Sequence, residues 1–303
     1  MNRSFASLRG RRSVRLALAA GVAAVAALGL ALAAGADRHD AVPPPPANPT
    51  SADQIQNIDQ VKTAIKGYYG DTVTNVVDPV PAGQDVSFPG DTSTQQLHQF
   101  GADSSYAHEV EGIAAGVGKY LGKRVKQHHH QGHFDGTPAV LFDVDDTTLN
   151  TYSYEIYSNF VFNPGTNAAF VNAGSASIFP AVPGMVALEQ KALAKGYQVF
   201  FLTGRSKIAT PDQTAGTIAN LEDAGYTVDP THVYLKDATG ASEPWLASCA
   251  PTCTTTQYKS LTRQHIESLG FDIVANLGDQ FSDLNGGFAD RTFKIPNPMY
   301  FLP

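Results

Sequence analysis

The chain is poor in cysteine: among 303 residues only Cys249 and Cys253 carry a thiol. No second pair exists to complete a four-ligand zinc site, so the two are expected to form a disulfide closing a small loop in an oxidising compartment. An excess of positive charge is also missing. Lys and Arg total 21 against 28 Asp and Glu, a formal net charge of −7, which argues against a protein held on nucleic acid by its phosphate backbone. The same acidity would repel a small phosphate ester, so a phosphate site here must bring its own local cations or a metal. Internal repeats of fixed period are absent, and the length suits one sizeable core with embellishments.

Charge vanishes altogether between Leu16 and Ala36, directly after Arg3, Arg9, Arg11, Arg12 and Arg15. This is an export signature. The run could span a bilayer, but it is mostly Ala and Gly and ends in Ala34-Gly35-Ala36, so residues 1–36 are expected to be a cleaved signal peptide, with a retained anchor as the alternative. The Arg11-Arg12 pair fits a twin-arginine signal. A secreted or extracytoplasmic location follows, with a membrane partner only if the segment is kept. Residues 37–50, with Pro43 to Pro46 and Pro49, read as a stiff linker.

Residues 51–137 read as an N-terminal helical region. Ser51 with Gln54 makes a capping box, and Ile55, Ile58, Val61, Ile65 and Tyr68 recur at helical spacing up to Gly70. Residues 71–100 lack a sustained period and are expected to be loop. Tyr106, Val110, Ile113, Val117, Leu121 and Val125 predict a second helix. His128, His129, His130 and His133 lie beyond that face and read as a solvated connector rather than a metal site.

From residue 138 the pattern becomes short apolar runs alternating with helical segments, the mark of an α/β fold with a parallel sheet. The runs are Ala139 to Phe142, Gln198 to Leu202, His232 to Leu235 and Asp272 to Asn276, and helices are predicted over Gly184 to Ala194, Asp212 to Ala224 and Lys259 to Leu269. Ligands bind outside the carboxyl ends of such strands. The residues there are Asp143 and Asp145, then Thr203-Gly204-Arg205, then Gly278-Asp279 and Asp283, with Lys259 at the start of the helix before the last strand. These residue types suit phosphoryl transfer: Asp143 to attack phosphorus, Asp145 to donate a proton to the leaving alkoxide and then activate water. A cluster of carboxylates meeting a phosphate suits Mg²⁺, with Asp143 and Asp279 as carboxylate ligands.

With these residues in order, the sequence resembles the haloacid dehalogenase (HAD) superfamily, and within it the subfamily IIIB, class B-like acid phosphatases related to plant acid phosphatases and vegetative storage proteins. The pattern D-x-D-x-T is met by Asp143, Asp145 and Thr147, the strand-ending hydroxyl by Thr203, the lysine by Lys259, and G-D-x-x-x-D by Gly278, Asp279 and Asp283. Tyr258-Lys259-Ser260 and Gly278 to Leu284 look like the plant phosphatase pattern. The resemblance covers residues 138–300. It implies a Rossmann-like sheet flanked by helices over 138–303, with a small helical cap at about 152–183. It also implies an aspartyl-phosphate at Asp143, acid/base work by Asp145, and phosphoryl contacts from Thr203 and Lys259, with Lys236 the alternative lysine. The Mg²⁺ shell would include the backbone carbonyl of Asp145, and Asp283 would act from outside it.

The expected partner is a small-molecule phosphate monoester. A phosphotransferase or nucleotidase of the same family is the enzymatic alternative. A catalytically silent storage or binding protein is the other, since some plant storage proteins keep the fold without the nucleophile. Tyr152, Tyr154, Tyr157, Phe160 and Phe162 in the cap segment read as core, with a substrate-flanking role as the alternative. Trp245 and Pro244 read as an anchor for the loop before Cys249. The oligomeric state is not legible.

Overall fold

The computed structural model describes residues 57–81, 95–131, 135–209, 211–237, 239–240 and 242–302. The signal peptide, the Pro-rich linker, the Ser51 capping box, Ile55 and His133 lie outside these. Among the described residues no helix is long and apolar enough to cross a membrane.

Helix α1 (Ile58–Tyr69) ends at Gly70, whose φ of 62° and amide bond to the Gly67 carbonyl close the last turn. A Cβ there would lie 2.9 Å from that of Ser104, so glycine serves both conformation and packing. The expected loop that follows is in part an antiparallel ribbon, β1 (Thr72–Val77) with β2 (Gln96–Gln99). The correction has a physical cause: the β-branched run favours strand and its two faces alternate, but Val73 and Val77 fall on the exposed side and Thr74 on the half-buried one, so apolar residues do not mark the alternation. Helix α2 (Ser105–Gln131) buries Tyr106, Val110, Val117 and Leu121. Its backbone continues through positions 128–130, so the connector expected at those histidines is the end of the helix.

The remaining elements are β3 (Thr137–Phe142), α3 (Tyr152–Tyr157), α4 (Pro164–Asn172), α5 (Met185–Leu193), β4 (Gln198–Ser206), α6 (Thr214–Asp223), β5 (Val233–Lys236), α7 (Thr255–Ser268), β6 (Phe271–Gly278), α8 (Phe281–Leu284) and β7 (Thr292–Lys294). Five strands form one parallel sheet in the order β5-β4-β3-β6-β7. Strand β7 is too short to announce itself by a period. The sheet is buried on both faces, as its apolar runs require. Val140, Phe142, Val199 and Phe201 join a core with α2, while Ala139, Leu141, Phe200 and Leu202 face the other way toward Tyr258 and Ile266 of α7.

The chain runs from β3 outward through β4 to β5, then returns to lay β6 on the opposite side of β3. Strand order therefore reverses between β3 and β6, and the crevice beyond their carboxyl ends is the place such a sheet offers a ligand. In the segment 152–183, Tyr152, Tyr154 and Tyr157 are buried, while Phe162 is exposed. Tyr152 stacks on Tyr69, with ring centroids 4.6 Å apart, and its hydroxyl donates to Asp71 Oδ1 at 2.8 Å, so this tyrosine belongs to the core. Cys249 and Cys253 are joined in a disulfide. Trp245 stacks on His265 at 3.8 Å and donates Nε1–H to Thr262 Oγ1 at 3.2 Å, anchoring the turn Pro244–Leu246 on α7.

Candidate active site

Strand β3 ends at Phe142, and the amide of Asp143 donates to the Leu277 carbonyl of β6 at 2.9 Å, fixing the start of the next turn against the neighbouring strand. The turn is tight. Asp146 sits at φ 55°, a left-handed conformation aspartate tolerates, and the amides of Thr148 and Leu149 both return to the Val144 carbonyl. This geometry holds Asp143 and Asp145 at the mouth of the sheet. Gly278 ends β6, and a Cβ there would collide with that of Asp283, so only glycine lets the loop carrying Asp279 and Asp283 fold back on the strand.

Lys259 lies in the second turn of α7, one turn beyond the helix start expected for it. The helix begins earlier because Thr254 and Gln257 make a capping box. From there its Nζ forms an ion pair with Asp143 Oδ1 and reaches Asp283 Oδ1 at 3.2 Å, and it also donates to the Leu202 carbonyl in the middle of β4. Lys259, rather than Lys236, is the lysine on Asp143. Burial alone would lower the Lys259 ammonium, but Asp143 and Asp283 more than reverse this and it stays charged. Burial also pushes Asp143 up, Asp283 adds to the push, and Lys259 opposes it.

One carboxylate oxygen from each of Asp143, Asp279 and Asp283 lies within 4.8 Å of the others. Burial, then Asp283 and Asp146, raise Asp279 to about 7. Three buried carboxylates so close, offering only hard oxygen donors, fit a divalent cation such as Mg²⁺. Asp283 is already engaged: its Oδ1 faces Lys259 and its Oδ2 accepts from the Gln280 amide at 2.9 Å.

Thr203, where the apolar run of β4 stops, is fully buried, and its hydroxyl contacts Asp145 Oδ2 at 3.4 Å. Asp143, Thr203, Lys259, Asp279 and Asp283 thus converge with Asp145. Several neighbours had no role assigned from the sequence. Arg205 grips Asp145 through Nε and Nη2, while Nη1 donates to Thr217. It stands two residues beyond Thr203 on the same strand, and that period of two was the available signal. Asp146 accepts from Thr151 and Tyr300, and burial raises it to about 7. Glu155 on α3 is buried, and burial with the charges of Asp146 and Asp145 raises it to about 8. Asn297 and Gln280 both donate to Asp279 Oδ2 at 2.7 Å.

A parallel sheet with an aspartate pair on its central strand and an acidic loop on the adjacent strand defines a HAD-type protein. The chain belongs to HAD superfamily subfamily IIIB, the acid phosphatase family, whose model matches residues 80–303. It is 36% identical over 172 residues to acid phosphatase 1 of Solanum lycopersicum, covering 55% of this chain and 60% of that protein. It is 35% identical over 169 residues to a stem 28 kDa glycoprotein of Glycine max, covering 54% and 60%. To vegetative storage protein 2 of Arabidopsis thaliana it is 31% identical over 172 residues, covering 56% and 58%. The match thus spans about three-fifths of the length of these relatives. A solved class C acid phosphatase from Bacillus anthracis superposes with a TM-score of 0.47 at 20% identity, covering 64% of this chain and 80% of that one.

Proposed function

We propose that this protein is an exported, Mg²⁺-dependent acid phosphatase that hydrolyses small phosphate monoesters through an aspartyl-phosphate. The observation that carries the reading is the Lys259–Asp143 ion pair beside Asp279 and Asp283. A carboxylate held next to a buried ammonium at the open end of a sheet is placed to attack a phosphorus whose oxygens that ammonium can also meet.

In the first step an Asp143 oxygen bonds to phosphorus as the ester P–O bond breaks, and Asp145 gives its proton to the departing alkoxide. In the second, Asp145 takes a proton from water, the resulting nucleophile attacks phosphorus, and the Asp143–phosphate bond breaks to release inorganic phosphate. Asp145 suits proton exchange because its side chain is 28% exposed, against 8% for Asp143. Thr203 and Lys259 would bind phosphoryl oxygens. Asp143, Asp279 and the Asp145 carbonyl would hold Mg²⁺, with Asp283 outside that shell; when bound, the ion supplies positive charge for the crowded carboxylates and the phosphoryl group. The segment 152–183 would act as the cap.

Export rests on the arginine-rich start and the uncharged run from Leu16 to Ala36. The Cys249–Cys253 disulfide suits the same compartment. The deciding experiment is hydrolysis of an aryl phosphate with and without Mg²⁺, beside Asp143→Asn. Metal-dependent turnover lost in the variant is expected; equal inactivity of both proteins across pH and metals would remove the enzymatic reading and favour a storage role.

A further inference from the structure

The carboxyl-terminal segment returns to the acidic floor of the site. The Ile295 amide donates to the Gly278 carbonyl at 2.8 Å, at the point where β6 gives way to the loop of Asp279. Two residues on, Asn297 Nδ2 donates to Asp279 Oδ2 at 2.7 Å and lies 3.5 Å from Asp146 Oδ2. Its orientation is fixed, because Asn297 Oδ1 accepts the Met299 amide at 2.9 Å and so turns the NH₂ toward the carboxylates. The backbone is also stiff there: Pro296 and Pro298 flank Asn297 and restrict it to an extended conformation. Tyr300 then places its hydroxyl 2.9 Å from Asp146 Oδ2. Gln280 ties both sides together. Its Nε2 donates to Asp279 Oδ2 and to the Tyr300 carbonyl, and its Oε1 accepts the Leu302 amide at 2.9 Å.

The consequence lies in how Asp279 is presented. Among the described residues, its Oδ2 takes two amide donors, while Oδ1 has only a long 3.3 Å contact from the Thr147 hydroxyl. A carboxylate with one oxygen saturated offers the other, and an orienting donor of this kind commonly governs 10- to 100-fold in metal affinity. Tyr300 acts one residue further along the first motif, on the left-handed Asp146 whose turn presents Asp145.

We propose that Asn297 and Tyr300 are positioning residues for the cation site, so that the carboxyl-terminal strap Ile295–Leu302 is a working part of it. Asn297 turns Oδ1 of Asp279 toward the cation, and Tyr300 holds the Asp146 turn in place. The inference rests on the cation reading given above. Both residues act through carboxylates of the floor, so the strap tunes metal occupancy rather than the chemical step.

The test is Mg²⁺ titration calorimetry on the full chain, beside aryl phosphate kinetics at varied Mg²⁺, for wild type, Asn297→Ala and Tyr300→Phe. Asn297→Ala is expected to weaken Mg²⁺ binding by about 10- to 100-fold, with activity restored by excess Mg²⁺ and KM for the ester changed less than about threefold. Tyr300→Phe, which removes a single hydroxyl and keeps the ring, is expected to weaken it several-fold and serves if the alanine variant does not fold. Mg²⁺ affinities within twofold of wild type would overturn the strap's role while leaving the phosphatase reading intact. A wild-type protein that binds no Mg²⁺ would remove the cation reading and this inference together.

Discussion

Arg205 holds Asp145 by a forked contact, with Nε 3.1 Å from both carboxylate oxygens and Nη2 2.8 Å from Oδ1. The guanidinium is nearly inaccessible to solvent, is pinned by Thr217, and lies over the ring of Phe179. Such a fork fixes the carboxylate in direction as well as in charge. Lysine keeps the charge but loses the planar geometry. Arg205→Lys is therefore expected to lower kcat by roughly 10- to 100-fold through misplacement of Asp145, with little change in Mg²⁺ affinity. Steady-state kinetics at saturating Mg²⁺ checks this, and a kcat within twofold of wild type would contradict it.

Lys259 is the cation shared by Asp143 and Asp283 in a buried site. Removing one member of such a group leaves charge without compensation, which costs about 3–5 kcal/mol. Lys259→Met should lower the urea midpoint accordingly in metal-free protein and reduce kcat by on the order of 10²–10³. A midpoint equal to wild type would mean that the ion pair contributes no net stability.

Glu155 is raised to about 8, and Asp146 and Asp279 to about 7, in each case first by burial. Each binds its proton more tightly folded than unfolded, so between about pH 4 and pH 8 the native state carries more protons, and stability from these groups is lost as pH rises through that window. Metal-free protein is expected to melt at a higher temperature at pH 5 than at pH 8, and Mg²⁺ should narrow the gap by compensating Asp279. Scanning calorimetry in EDTA at the two pH values decides; a higher Tm at pH 8 would refute the assignment.

The disulfide closes a short loop, with Cys249 and Cys253 four positions apart. A loop of this size contributes about 2 kcal/mol by chain entropy, so replacing both cysteines by serine is expected to lower Tm by roughly 4–8 °C in a chain of this size. Thermal unfolding of the double variant measures it, and an unchanged Tm would show that the bridge adds no stability.

The site was legible where the parallel sheet dictates it. Asp143, Thr203 and Asp279 stand at the ends of apolar runs, and a parallel sheet must bring those ends to one edge. Lys259 could be placed by its helix, though one turn too early, because the Thr254 capping box starts α7 ahead of the apolar positions. Arg205 shares a strand with Thr203, yet nothing local says that it will meet Asp145 rather than water. Asn297 and Tyr300 were invisible, since their contacts depend on where an irregular segment crosses the sheet edge. The β1–β2 ribbon gave no period because Val73 and Val77 lie on its exposed side, so apolar residues do not mark the face by which strands are read.

The contact of Tyr300 with Asp146 joins positions 154 residues apart, and the Ile295 amide closes onto Gly278 only after β7 is laid down. The acidic floor therefore depends on a segment far along the chain from the turn it braces, so damage to residues 295–302 would loosen Asp279 and Asp146 while leaving the backbone bonds that fix Asp143 intact.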